Sequence, residues 1–153
     1  MQKENVKNKP VQVLLAEDDA DDRELFIEAF SVVDASIRVE TVDTGEKLIN
    51  HLNGAVSFPD WIFLDLNMPK KNGVECLQEI KENEKIRRIP VIIYTTSVNA
   101  KDVDATYEGG ASCFIRKPNS FRELTQLLEK LITSPHLNPS LPVLKGNFVL
   151  NSR

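Results

Sequence analysis

Four short apolar runs in this chain each end on residues able to hold a cation or a phosphoryl group. Glu17-Asp18-Asp19 follow the run at residues 11–16, and Asp65 follows Trp61-Ile62-Phe63-Leu64. Thr95-Thr96-Ser97 follow residues 91–94, and Arg116-Lys117-Pro118 follow residues 112–115. Carboxylates gathered in one crevice repel each other, at about 4 kcal/mol for two unit charges about 4 Å apart and an effective dielectric near 20. Something has to neutralise them. An acidic cluster without His or Cys disfavours zinc. Few protein ligands, with room left for water, suit Mg²⁺ better than a caged Ca²⁺. Cation, lysine ammonium and threonine hydroxyl together form a cradle for a tetrahedral dianion, and phosphoryl transfer draws most of its catalysis from positioning and charge neutralisation. Asp65 is then the nucleophile and the carrier of an aspartyl phosphate. Any one of these residues alone is better read as a turn or a helix cap; their joint appearance at four strand ends carries the argument.

That appearance matters only if the fold brings the ends together. The run before Asp65 is too short for an independent helix and reads as a strand buried on both faces, stopped by Pro69 and Asn72-Gly73. Residues 11–16, 37–42, 91–94 and 112–115 read as further strands. Between them lie helical patterns. The first carries Leu25, Phe26, Ala29, Phe30 and Val33 behind Asp21 and Asp22, acids placed where a helix N-terminus favours negative charge. The second runs from a Thr44 cap through Leu48, Ile49 and Leu52 to Asn53-Gly54. The third shows Val74, Leu77 and Ile80, and the fourth, over residues 102–108, a thin face of Val103, Ala105 and Tyr107 before Gly109-Gly110. The fifth, capped by Ser120, shows Phe121, Leu124, Leu127, Leu128 and Leu131. Strands alternating with amphipathic helices imply a parallel sheet wound on both faces by right-handed crossovers. The economical topology is a flavodoxin-like (βα)5 three-layer α/β sandwich of strand order 2-1-3-4-5, whose ligand crevice lies at the carboxyl ends of strands one and three.

A chain of 153 residues with 41% hydrophobic content is expected to form one folded domain, at residues 11–132, after a polar arm at residues 1–10. The net charge of -4 argues against nucleic acid as a partner. Absence of any apolar stretch near 20 residues argues against a membrane span, and the polar start at Met1-Gln2-Lys3 against a signal peptide, so the cytoplasm is the expected location. Cys76 and Cys113 match no metal or redox spacing and read as buried free thiols. His51 and His136 read as surface histidines.

The ordered set of an acidic pair, an Asp on strand three, a Thr on strand four and Lys-Pro on strand five closely resembles the response regulator receiver domain of two-component signalling, over residues 11–132. The resemblance implies that Asp65 is the phosphoacceptor. It implies that Asp18 ligates Mg²⁺ directly, Glu17 through water, and Asn67 by its backbone carbonyl, with Asp65 completing the metal set. Thr95 corresponds to the hydroxyl that binds the phosphoryl group and Lys117 to the lysine that pairs with it, on a Lys117-Pro118 peptide expected to be cis. Phe114 corresponds to the switch aromatic. Thr96 stands where the family often has Ala or Gly, and its bulk narrows access to the acyl phosphate. The donor implied is a phosphohistidine on a sensor histidine kinase or phosphotransfer protein. Thr95 then swings, Phe114 turns, and the face of helix four, strand five and helix five passes the signal to a downstream protein. The segments 67–73, 89–91 and 95–97 are similar to single-domain regulators associated with cyanobacterial phytochromes, some of which pair into homodimers.

Rival readings are a haloacid dehalogenase-like phosphatase, against which stand Asn67 in place of a second Asp and too little chain for a cap domain; a binding module that never takes phosphate; and a flavodoxin, whose phosphate loop would be rich in hydroxyls and glycine rather than Glu17-Asp18-Asp19. Residues 133–153, with Pro135, Pro139 and Pro142, are expected to be a tail too short for an output domain. Its apolar stretches at 141–144 and 148–150 are expected to pack on this domain or on a second subunit.

Overall fold

The structure, a computed structural model, describes residues 9–97 and 99–151. All of the expected arm except Lys9 and Pro10 lies outside the described residues. The five expected strands form: β1 (Gln12–Ala16), β2 (Arg38–Val42), β3 (Trp61–Leu64), β4 (Val91–Thr95) and β5 (Cys113–Arg116). They alternate with helices α1 (Ala20–Val33), α2 (Gly45–Asn53), α3 (Gly73–Glu82), α4 (Ala100–Glu108) and α5 (Phe121–Ile132). A sixth strand, β6 (Val149–Leu150), follows two short 3-10 turns and extends the sheet, which is parallel throughout in the order β2-β1-β3-β4-β5-β6. This is the expected flavodoxin-like order 2-1-3-4-5 with one strand added beside β5.

Helix boundaries follow local chemistry. Asp19, Thr44, Asn72, Asn99 and Ser120 cap the five helices, each side chain accepting a backbone N–H of the first turn. On α3 the cap is reciprocal: Glu75 reaches back to the Asn72 N–H. The strand residues alternate between two cores. Leu14, Ala16, Ile62, Leu64, Ile93 and Phe114 face α2 and α3. Leu15, Phe63, Ile92, Tyr94 and Ile115 face α1 and α5, where the rings of Phe26, Phe30, Phe63 and Tyr94 pack with centroids 4.9–5.8 Å apart. Both cysteines are buried and free; burial pushes the Cys76 thiol up to about 11 and the Cys113 thiol up to about 12, so both stay protonated and unreactive.

Three expectations about apolar faces are corrected. On α4 the buried residue is Thr106, its hydroxyl donating to the Asp102 carbonyl at 2.8 Å, while Ala105 faces solvent. A threonine that satisfies its own hydroxyl within the helix fills an apolar position without a polar cost. Leu25 on α1 and Phe121 on α5 are exposed as well, because each lies beyond the edge of its helix's buried stripe.

Register sets the site. Ala16 pairs with Leu64, so β1 and β3 end level and the next residues, Glu17 and Asp65, emerge side by side. The Asp65 N–H donates to the Ala16 carbonyl at 3.1 Å, and the Lys117 N–H to the Thr95 carbonyl at 2.8 Å. Gly73 keeps the loop after β3 tight: a Cβ there would meet the Asp65 carbonyl oxygen at 2.5 Å and Leu66 Cα at 2.7 Å, both backbone atoms. Gly73→Ala is therefore expected to cost about 1–3 kcal/mol through overpacking and to displace Asp65. Urea denaturation checks the first effect, and a stability equal to that of the parent would contradict it.

Candidate functional site

The carboxylates of Glu17, Asp18 and Asp65 converge, one oxygen from each lying within 4.8 Å of the others. Glu17 is fully buried, Asp65 is 3% exposed and Asp18 faces solvent. Lys117 enters from β5, its Nζ 2.6 Å from Glu17 Oε1, 2.9 Å from Asp22 Oδ2 and 3.5 Å from Asp65 Oδ2. Burial alone pulls the lysine down, but its hydrogen bonds to Glu17 and Asp22 outweigh that and hold it above the usual range. One ammonium thus faces Glu17, Asp22 and Asp65. Burial pushes the Glu17 carboxyl up to about 7; the Lys117 hydrogen bond opposes this and the nearby Asp65 charge adds to it.

Asp22 was not among the residues singled out for the site from the sequence, where it served only as a helix-terminal acid. No local pattern marks it: Asp22 is the third residue of α1, where an acid is expected for the helix end alone. The Glu17 backbone is fixed by its N–H to the Val42 carbonyl at 3.0 Å and by Arg23 Nη1, which donates to the Glu17 carbonyl at 2.9 Å.

Asn67 and Thr95 close the other side. The Asn67 N–H donates to Asp65 Oδ1 at 3.1 Å, and its side-chain amide to Thr95 Oγ1 at 3.3 Å. The Ser97 N–H also points at Thr95 Oγ1, at 3.4 Å. The role given to Asn67 from the sequence used only its backbone carbonyl; its side chain and N–H bridge Asp65 to Thr95. Phe114 lies outside the crevice, buried on β5 beside Ile93. The Lys117-Pro118 peptide is trans, contrary to expectation, and no cis bond occurs among the described residues. Trans is favoured for X-Pro by about 0.5–1 kcal/mol, and the Thr95 carbonyl together with Glu17 and Asp22 already aims the lysine.

The donor set fits a hard divalent cation: three carboxylates, all-oxygen, two of them buried, with excess negative charge and a Glu17 Oε1 that has no partner but the lysine. Glu17 binds a proton in the folded state where the unfolded chain has released it, so its contribution to stability is full below the ordinary value of 4.5 and is lost as pH rises through about 7. Without divalent cation, the parent is expected to lose stability relative to Glu17→Gln between about pH 5 and about pH 8; added cation flattens the difference. Urea midpoints for the two proteins check this, and a difference that grows in the parent's favour with pH would contradict it.

Residues 13–129 match the family model of the response regulator receiver domain. The chain belongs to the response regulator receiver family. Among curated relatives, the receiver is 34% identical to response regulator Rcp1 of Synechocystis sp. over 134 residues, covering 80% of this chain and 86% of that one. It is 32% identical to the probable methanogenesis regulatory protein FilR2 of Methanothrix harundinacea, covering 80% and 81%. Among solved structures, the phosphorylated cyanobacterial phytochrome response regulator RcpA superposes with a TM-score of 0.76 at 33% identity, covering 86% of this chain and 97% of that one. The Mn(2+)-bound form of Rcp1 gives 0.75 at 32%, covering 88% and 100%. The similarity to cyanobacterial phytochrome regulators expected from the loop segments is therefore found along most of the receiver. No helix among its described residues is long and apolar enough to cross a membrane.

Proposed function

We propose that this receiver is a phosphorylation-activated switch that accepts a phosphoryl group on Asp65 with Mg²⁺ bound among Glu17, Asp18, Asp65 and the Asn67 backbone carbonyl, and signals by protein-protein contacts. The observation that carries this reading is the buried carboxylate of Asp65, grouped with those of Glu17 and Asp18 and 3.5 Å from the Lys117 ammonium.

The donor is a phosphohistidine of a sensor histidine kinase or phosphotransfer protein. An Asp65 carboxylate oxygen bonds to phosphorus as the P–N bond to imidazole breaks, and the departing imidazole takes up a proton. Asp65 Oδ1 is engaged by the Asn67 N–H, which leaves Oδ2, on the Lys117 side, as the oxygen free to attack. Lys117 and the Thr95 hydroxyl then neutralise and bind the new phosphoryl oxygens. The cation, when bound, supplies the remaining positive charge for the transferring group. Thr96, exposed beside Thr95, narrows the approach. The domain catalyses only its own phosphorylation and acts in the cytoplasm.

Incubation with acetyl phosphate, read by intact-protein mass with Mg²⁺ and with chelator, tests the reading. One added phosphoryl group that requires Mg²⁺ and maps to Asp65 is expected. No added mass, or addition that is indifferent to Mg²⁺, would sink it and leave a fold that binds without taking phosphate.

A further inference from the structure

Lys117 is pulled away from the acid it has to serve. An ammonium carries three protons, and two of them are engaged elsewhere: Nζ lies 2.6 Å from Glu17 Oε1 and 2.9 Å from Asp22 Oδ2. Asp65, whose phosphoryl group the lysine is to bind, is met only at 3.5 Å, longer than a charge-assisted hydrogen bond. The backbone cannot correct this, because the Lys117 N–H is fixed to the Thr95 carbonyl at 2.8 Å. The Tyr94 ring underlies the ammonium, its centroid 5.5 Å from Nζ, and the lysine side chain is only 10% exposed. What remains open to Lys117 is a swing among the acids around it.

The acids differ in where that swing leaves them. Glu17 belongs to the same carboxylate cluster as Asp65, so an ammonium moving toward Asp65 stays beside it. Asp22 lies outside that cluster, in the first turn of α1, and its side chain is 35% exposed against 5% for Asp65. Asp22 is therefore the contact left behind. Its backbone is held in place by its own N–H, which donates to the Asp19 cap at 3.0 Å. The helix end does not need this contact, since Asp21 supplies the same first turn with an acid that faces solvent.

We propose that Asp22 is a positioning residue that holds Lys117 back from Asp65 in the unphosphorylated protein and so slows phosphoryl uptake. The inference rests on the function proposed above. A phosphoryl group arriving at Asp65 Oδ2 draws the ammonium toward its oxygens and stretches the contact to Asp22. An interaction stronger before the reaction than in its transition state raises the barrier. One stronger before than after also disfavours the phosphorylated state by the same measure. Because Asp22 is partly exposed, water takes the place of the lysine readily, and the effect is that of a surface ion pair rather than a buried one.

Two readings on the full chain test this: the rate of labelling by acetyl phosphate with Mg²⁺, followed by intact mass, and the affinity for beryllium fluoride as a phosphoryl mimic, followed by fluorine NMR. Asp22→Asn is expected to label about threefold faster than the parent and to bind beryllium fluoride about threefold more tightly. Asp21→Asn removes an equal helix-terminal charge without touching Lys117, and is expected to match the parent in both readings. Asp22→Glu, which restores a carboxylate, is expected to return toward the parent. Damage to the fold would slow labelling and weaken binding, so the direction of the change separates positioning from a structural role. Asp22→Asn equal to or below the parent in either reading overturns the inference, as does Asp21→Asn gaining as much as Asp22→Asn. A parent that takes up no phosphate overturns the proposed function, and the inference with it.

Discussion

Asp65→Asn is expected to abolish phosphate uptake completely and, without divalent cation, to leave the protein more stable than the parent by about 0.5–2 kcal/mol. The first effect follows because an amide is not a nucleophile at phosphorus, and Glu17, the other buried acid that Lys117 faces, has one oxygen held by the lysine at 2.6 Å and the other by the Asp19 N–H at 3.1 Å. The second follows from charge. Asp65 is forced close to Glu17 and Asp18, and its charge is one of the causes that hold the Glu17 carboxyl near 7. Asparagine keeps the shape and an oxygen for the Asn67 N–H while removing a like charge from a dry site. Lys117 keeps its shorter contacts to Glu17 and Asp22, at 2.6 and 2.9 Å. Saturating Mg²⁺ should narrow the gap, since the parent, with the fuller ligand set, gains more from binding. Intact mass after acetyl phosphate and urea denaturation with and without Mg²⁺ read both effects. A labelled variant would move the acceptor elsewhere; a variant less stable than the parent in chelator would show that the cluster is not under electrostatic load.

Such a load explains why the site could be read from the sequence. An apolar strand that ends on an acid, repeated at level strand ends, violates the burial pattern in a way that only a ligand or a buried cation resolves. Glu17, Asp65, Thr95 and Lys117 were all legible for that reason, as were the five strands and five helices, whose periods of 2 and 3.6 and capping residues agree. The features that were not legible depend on contacts without a period. Val149-Leu150 is too short to show alternation, and Pro135, Pro139 and Pro142 argue locally against regular structure, yet the free edge of β5 accepts the pair once Phe148 has a pocket. The fourth helix buries Thr106 instead of Ala105 because an internal hydroxyl bond hides its polarity. Asp22 looked sufficient as a helix-terminal charge, and only the path of β5 brings Lys117 to it across 95 residues of chain.

Lys117→Met is expected to be the most damaging single change at the site. Its side chain is 10% exposed and its ammonium touches Glu17, Asp22 and Asp65, so removing it leaves three acids with no cation between them. Breaking one side of a buried ion pair typically costs about 3–5 kcal/mol. That cost has two escape routes here. Asp22, with a side chain 35% exposed, turns to water, and Glu17, already near 7, takes a proton more readily still. The loss is therefore expected to approach about 3 kcal/mol near pH 8 in chelator, to shrink as pH falls through 7 and Glu17 becomes neutral, and to be partly recovered by Mg²⁺ at any pH. Phosphate uptake from acetyl phosphate should slow by about a hundredfold, the effect of deleting one fixed charge aimed at the transferring group. Urea midpoints across pH and a time course of intact mass measure the two consequences on the same protein. A loss of stability indifferent to both pH and Mg²⁺ would mean that the methionine fails by packing alone, and that the lysine does not balance the acids of this crevice.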